Sequence, residues 1–194
     1  MKLISATANP HKYKEMKQIM AGKVEILPRP SEIPEVIEDA PDLLGNACLK
    51  AQAVVKATGM PAIADDTGLE VEALNGEPGV LSARYAGPDA QSEDNIQKLL
   101  GELSNVTVDK RGAQFRTVIV VLWPDKTYVT AEGIVSGKIA LSPRGNLGFG
   151  YDSIFLPSEV TGRTFGEISD SEKNKISHRS RALTEISRVL LSIS

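Results

Sequence analysis

The sequence is poor in the residues that mark several large classes of protein. Cys48 is its only cysteine, which excludes a disulfide framework and a thiolate metal cluster. Within the apolar pattern around it, Cys48 reads as a small buried side chain rather than a reactive thiol. No apolar run approaches the length of a membrane span, and the opening MKLISATANPHK has no signal-peptide core; no membrane partner and a cytoplasmic setting are expected. Charge of one sign is also scarce. A net charge of -3 over 194 residues argues against an extended nucleic-acid surface, while a few converging lysines are enough for a small anion. The phosphate-loop pattern G-x-x-x-x-G-K-[ST] is absent, and there are no internal repeats or long linkers. Hydrophobic residues make up 41% of the chain, enough for a real core; the length suits one large domain or two small lobes, and without a long linker a single domain over residues 1–194 is expected.

The most informative stretch runs from residue 62 to 87. An apolar run, Ala62-Ile63-Ala64, meets adjacent carboxylates Asp65 and Asp66; Thr67-Gly68 and a second alternation, Leu69, Val71 and Ala73, follow. The pattern predicts strand, paired acids, sharp turn, strand, which would present the acids at a sheet edge. Two adjacent ionised Asp side chains favour a divalent cation as partner; a polar turn that happens to contain two acids is the plainer alternative.

Residues 2–7 predict a first strand, followed by Asn9 as N-cap and Pro10 as the first residue of a helix reaching about Met20. Lys12 and Lys14 then lie in the first turn, the wrong end for the helix dipole unless an anion is near; a plainly capped surface helix is the alternative. Val24 to Leu27 predicts a second strand, completing a βαβ unit, and residues 28–42, rich in proline and acids, predict an irregular exposed connection. Helices are expected over about 42–58, carrying Lys50, and over about 89–104 with Ser92 as cap. Residues 113–123 and 127–140 predict a long hairpin.

A second unusual stretch, SPRGNLGFGYDSIF, starts at Ser142. Its three glycines let a ligand approach the backbone, Phe149 and Tyr151 offer aromatic faces, and Asp152 offers an acceptor. A glycine-rich loop with core aromatics is the other reading. Ser177 predicts the cap of a last helix with His178 and Arg179 in its exposed first turn, again cations at the positive end of a helix. Together these groups suit a nucleotide: metal at the phosphates, lysines along them, an aromatic face on the base and polar groups at its edge.

Six motifs in combination resemble those of the inosine triphosphate pyrophosphatase family over about Leu3 to Leu190. They are T-x-N-x-x-K-x-x-E (Thr7, Asn9, Lys12, Glu15), N-A-x-x-K-A (Asn46 to Ala51), A-D-D-[ST]-G-L (Ala64 to Leu69), P-G-V-x-S-A-R-Y (Pro78 to Tyr85), G-F-G-Y-D (Gly148 to Asp152) and E-K-x-x-I-S-H-R (Glu172 to Arg179). The resemblance implies an elongated α/β fold, a mixed β-sheet flanked by helices with two lobes around a substrate cleft, and a homodimer. It implies hydrolysis of ITP, dITP and XTP to the monophosphate and pyrophosphate with Mg²⁺. Carried over by position, Asp66 would be the catalytic base and, with Asp65, a metal ligand. Lys12, Lys50 and Lys173 would neutralise phosphate charge, and Thr7, Asn9 and Thr67 would bind the same end. Phe149 would stack on the base, with Gly150 and Tyr151 beside it, while Asp152, His178 and Arg179 would read its edge.

Three positions depart from the pattern: Gly45 stands where the family has a metal-site Glu, Leu147 where many members have Gly, and Ser153 where Pro is usual. Asp42, one turn before Gly45, is the candidate to replace the missing acid. Gly45 also defines a rival expectation, a nucleotide-binding protein of the same fold with impaired catalysis.

Overall fold

A computed structural model describes residues 1–193. Among the described residues, seven strands and five α-helices follow the order β1 (Lys2–Ser5), α1 (Pro10–Ile19), β2 (Glu25–Leu27), α2 (Leu43–Thr58), β3 (Ala62–Val71), β4 (Pro78–Gly79), α3 (Ser92–Glu102), β5 (Gly112–Leu122), β6 (Tyr128–Ile139), β7 (Phe155–Pro157), α4 (Asp170–Ile176) and α5 (His178–Ser192). The strands form one mixed sheet in the order β2-β1-β3-β5-β6-β7, with β4 paired to β3. β1 runs parallel to β2 and β3, while β3–β4 and β6–β7 are antiparallel. An α/β fold with a mixed sheet and helices is therefore observed, as expected.

The chain divides into two compact units. The first comprises Met1–Asp66, Thr117–Gly133 and His178–Ser194, the second Thr67–Arg116 and Ile134–Ser177. In the first, both faces of the sheet are covered, and the period of two shows it directly. Ile119 and Val121 of β5 pack with Met16 and Met20 at α1 and with Leu183, Ile186 and Leu190 of α5. The intervening Val120 and Leu122 pack with Ala47, Ala51 and Val54 of α2. A strand buried on both sides needs a continuous apolar run rather than alternation, as VIVVL supplies. Each fully buried aliphatic side chain in these layers contributes about 1.5–3 kcal/mol. In the second unit Leu99 and Leu103 at α3, Phe115 of β5, Ile139 of β6 and Phe155 and Phe165 share one core.

Helix ends follow the sequence closely. Asn9 Oδ1 accepts from His11 N and Lys12 N, with Pro10 in the first turn of α1. Asp42 caps α2 by accepting from Gly45 N at 2.7 Å, and Gly59 closes it.

Two expectations change, and one element is new. Residues 62–71 form one continuous strand, so there is no sharp turn at Thr67-Gly68. Gly68 serves a close approach instead: a Cβ there would lie 2.7 Å from the carbonyl oxygen of Gly79 on β4. The N-cap of α3 is Gln91 rather than Ser92, with Asp94 Oδ2 accepting from Gln91 N. Finally, residues 170–176 form a short helix of their own, α4, capped by Ser169 and Glu172 in a reciprocal box.

Candidate active site

The first unit gathers most of the charged residues singled out in the sequence, and β3 organises them. Side chains alternate across a strand, so Asp65 shares the face of Ile63, toward α1 and α5, while Asp66 shares the face of Ala64, toward α2. Asp65 Oδ2 accepts from Lys12 Nζ and from Arg179 Nε, both at 3.2 Å, and Arg179 Nη1 pairs with Glu15 of α1. Asp66 Oδ1 accepts from Lys50 Nζ at 2.9 Å and Oδ2 from Asn46 Nδ2 at 3.3 Å, both donors standing on α2. Lys50 Nζ also donates to Glu38 at 3.0 Å.

Burial sets the electrostatics of this group. Desolvation alone would raise the pKa of Asp65, but Lys12, Arg179 and Lys50 outweigh it and hold the carboxyl far below the usual range. Lys12 is lowered, first by its own burial, with Lys50 and Arg179 adding to what Asp65 only partly offsets. Arg179 and Lys50 are desolvated too, yet the acids around them raise both. Glu38 is raised by burial and by Asp66, against the opposing pull of Lys50.

His178 and Arg179 are buried, at 3% and 1% exposure, rather than displayed in an exposed first turn of α5. Lys12 at the start of α1 and Arg179 at the start of α5 both face Asp65. Thr7 and Asn9 shape the turn before α1: Thr7 Oγ1 accepts from Asn9 N at 3.1 Å while Asn9 caps the helix.

In the second unit Asp152 Oδ2 accepts from Phe149 N at 2.8 Å and from Lys173 Nζ at 2.6 Å. That ammonium lies 4.6 Å from the centroid of the Phe149 ring, within range of a cation–π contact. Lys173 stands with Phe149 and Asp152 in the second unit. Phe149 is half-buried, but Tyr151 is a core residue at 6% exposure with its hydroxyl on Ser82 O at 2.9 Å. Of the two aromatics, only Phe149 offers a face.

Residues 3–189 match the model of the Ham1 family. The chain belongs to the Ham1 family. It is 48% identical over 193 residues to the dITP/XTP pyrophosphatase of Porphyromonas gingivalis, covering 98% of this chain and 97% of that protein. It is 46% identical over 195 residues to the protein of the same name from Thioalkalivibrio sulfidiphilus, covering 98% and 97%. The structure of a HAM1 protein from Coxiella burnetii superposes with a TM-score of 0.88 at 38% identity, covering 99% of each chain. The sequence resemblance is thus borne out at the level of family.

Two acids of this Ham1 family member escaped the sequence reading of the site. Glu15 had a visible signal, as the last position of the first motif, one turn after Lys12 on α1. Glu38 had none beyond lying in an acidic, proline-rich connection. The segment is irregular, but Ile33 is anchored in the α2 layer and Asn46 Oδ1 accepts from Ala40 N at 3.0 Å, so Glu38 is returned to Lys50. Asp42, the expected replacement for an acid at Gly45, is committed to the cap of α2.

Proposed function

We propose that this chain hydrolyses non-canonical purine nucleoside triphosphates, of the class ITP, dITP and XTP, to the nucleoside monophosphate and pyrophosphate. The observation that carries the reading is Asp66, held between Lys50 and Asn46 on the α2 face with Glu38 on the same lysine. The names of the two relatives support it, since both are dITP/XTP pyrophosphatases.

In this reading Asp66 takes the proton of the water that attacks the α-phosphorus. Lys12 and Lys50 neutralise the phosphates, with the Thr7–Asn9 turn and Thr67 binding the same end. Phe149 stacks on the base with Gly150 alongside. Asp152, His178 and Arg179 read its edge, and a donor such as Arg179 satisfies a 6-keto oxygen but meets the amino group of adenine without an acceptor. Lys173, paired with Asp152, adds positive charge toward the phosphates.

A hard divalent cation suits the donor set. The acids Glu15, Glu38, Asp65 and Asp66 stand among Lys12, Lys50 and Arg179. Two of those acids, Glu38 and Asp66, converge on one ammonium. Among the described residues no group of three or more His, Cys, Asp or Glu is arranged to hold a metal ion, and Mg²⁺ characteristically takes one or two carboxylates and completes its shell with water and substrate phosphates. Glu38 and Asp66 would hold Mg²⁺, with Asp65 nearby on the opposite face of β3; the ion would supply charge neutralisation at the triphosphate and a more acidic water.

The rival, a nucleotide-binding protein disabled by Gly45, has no structural observation in its favour. A Cβ on Gly45 would lie 2.5 Å from Ala40 Cβ and 3.3 Å from Asp42 Oδ1, so the position serves the close approach of the 40–42 segment. A homodimer, implied by the resemblance, and a cytoplasmic setting complete the proposal. The test is turnover of dITP, XTP, dATP and dGTP with Mg²⁺, products separated by anion exchange. Monophosphate plus pyrophosphate from dITP and XTP is expected; diphosphate plus phosphate, or equal turnover of dATP, overturns the reading.

A further inference from the structure

The motif P-G-V-x-S-A-R-Y contributes nothing to the chemistry proposed above, yet its serine is 7% exposed and fully engaged. Ser82 Oγ accepts from Leu69 N at 2.8 Å and donates to Gly79 O at 2.6 Å. Leu69 and Gly79 are register partners in the β3–β4 pair, so one hydroxyl fastens the short turn at residues 82–84 to that edge. The carbonyl of the same residue accepts the Tyr151 hydroxyl at 2.9 Å. Tyr151 is in turn the centre of a tight segment: Asp152 N donates to Phe149 O at 3.2 Å and Ile154 N to Tyr151 O at 3.0 Å.

We propose that Tyr151 and Ser82 are positioning residues for the base site, a hydroxyl clamp that ties the Phe149–Asp152 segment to the β3–β4 edge. The proposal rests on the reading of Phe149 as the base-stacking residue. Tyr151 acts through its neighbours and not by offering its own face, because its ring lies in the core with Leu69, Tyr85, Phe155 and Phe165. The hydroxyl is not needed for that packing; a phenylalanine ring would fill the same space. What the O–H adds is direction, one bond from the buried end of the loop to a fixed carbonyl. Burial, with the charge of Glu102 adding, raises the Tyr151 pKa, so the group remains a donor. Loss of the bond frees the loop to sample other placements of Phe149 and Asp152, and substrate affinity falls by the fraction of time spent elsewhere.

Tyr151→Phe is the decisive variant. With one buried hydrogen bond removed, KM for dITP and the dissociation constant for IMP, measured by calorimetry, are expected to rise about three- to tenfold. Turnover at saturation stays within about twofold, because the Asp66–Lys50 group is untouched, and amide exchange over residues 147–152 accelerates. Ser82→Ala should reproduce the KM rise and Ser82→Thr, which retains a hydroxyl, should reverse it. Unchanged KM and IMP affinity in Tyr151→Phe, or a loss confined to turnover, overturns the clamp. Phe149→Ala separates the underlying reading: if it leaves KM for dITP unchanged, Phe149 does not hold the base and the proposal falls with it. If Phe149→Ala raises KM and Tyr151→Phe does not, the base site stands and the clamp alone is wrong.

Discussion

Asp65 and Asp66 are neighbours in sequence but point to opposite faces of β3, and each has its own lysine, Lys12 for the first and Lys50 for the second. Two carboxylates that would repel at the end of a turn are separated by the pleat of a continuous strand. The division also separates their roles. Asp65 is enclosed by Lys12 and Arg179 and compensates buried positive charge, whereas Asp66 meets an ammonium, an amide and a neighbouring glutamate. The first arrangement balances and holds cations proposed to meet the substrate; the second is suited to proton transfer and cation binding.

Replacing the two acids should therefore give different losses. Asp65→Asn leaves Lys12 and Arg179 buried without their shared anion and is expected to cost about 3–5 kcal/mol of stability, measured by urea unfolding. Asp66→Asn should unfold within about 1 kcal/mol of the parent, since Lys50 keeps Glu38, while dITP turnover falls by several orders of magnitude. The pH dependence has a definite sign. The folded pKa of Asp65 is depressed, so its stabilisation is complete above the unfolded value near 3.9 and is lost as pH falls through the folded one. The parent should lose stability relative to Asp65→Asn below about pH 4.

Local signals in the sequence carried the fold a long way. Asn9-Pro10, Asp42 and Gly59 bound their helices because caps act within one turn of the chain. The continuous strand through Asp65-Asp66-Thr67-Gly68 was hidden because Gly68 looks like turn chemistry, while its actual cause is the backbone of Gly79, contributed by a later segment. Glu38 was hidden for the same reason: an irregular connection has no period from which to read its return to Lys50. The burial of Arg179 is legible only once Glu15 and Asp65 are known to flank it, and no local rule joins three residues on α1, β3 and α5.

Glu38 should set the acid limb of activity. Burial and Asp66 raise its pKa above the ordinary glutamate value, so ionised Glu38 is lost sooner than a solvent-exposed acid as pH falls. If Glu38 helps hold Mg²⁺, kcat/KM at limiting Mg²⁺ declines on the acid side in the parent, and Glu38→Gln removes that limb. The variant should also need at least tenfold more Mg²⁺ for half-maximal rate. An unchanged Mg²⁺ requirement would leave Glu38 as a partner of Lys50 alone.

Gly45 gives an expectation opposite to the one its sequence position suggests. Restoring the family acid by Gly45→Glu should not raise the rate, because the side chain meets Ala40 and Asp42 before anything else. Gly45→Ala isolates the steric part. Alanine gains about 1 kcal/mol in helix propensity, but overpacking against Ala40 Cβ costs typically 1–3 kcal/mol. A net loss of about 1 kcal/mol is expected in thermal unfolding, and a higher melting temperature would mean that the 40–42 segment moves aside freely.

Arg179→Lys distinguishes a fork from a point charge. The guanidinium reaches Asp65 through Nε and Glu15 through Nη1, a geometry that a single ammonium on a shorter donor set does not reproduce. The pairing with one of the two buried acids is then weakened, and a loss of about 2–4 kcal/mol is expected in urea unfolding. Glu15→Gln in the parent removes one acid and keeps a hydrogen-bonding side chain, so its cost should be smaller. In the Arg179→Lys background the same change should cost less still, because the ion pair it breaks is already weakened. Additive losses in this double-mutant cycle would show that Glu15 and Arg179 do not act as one unit.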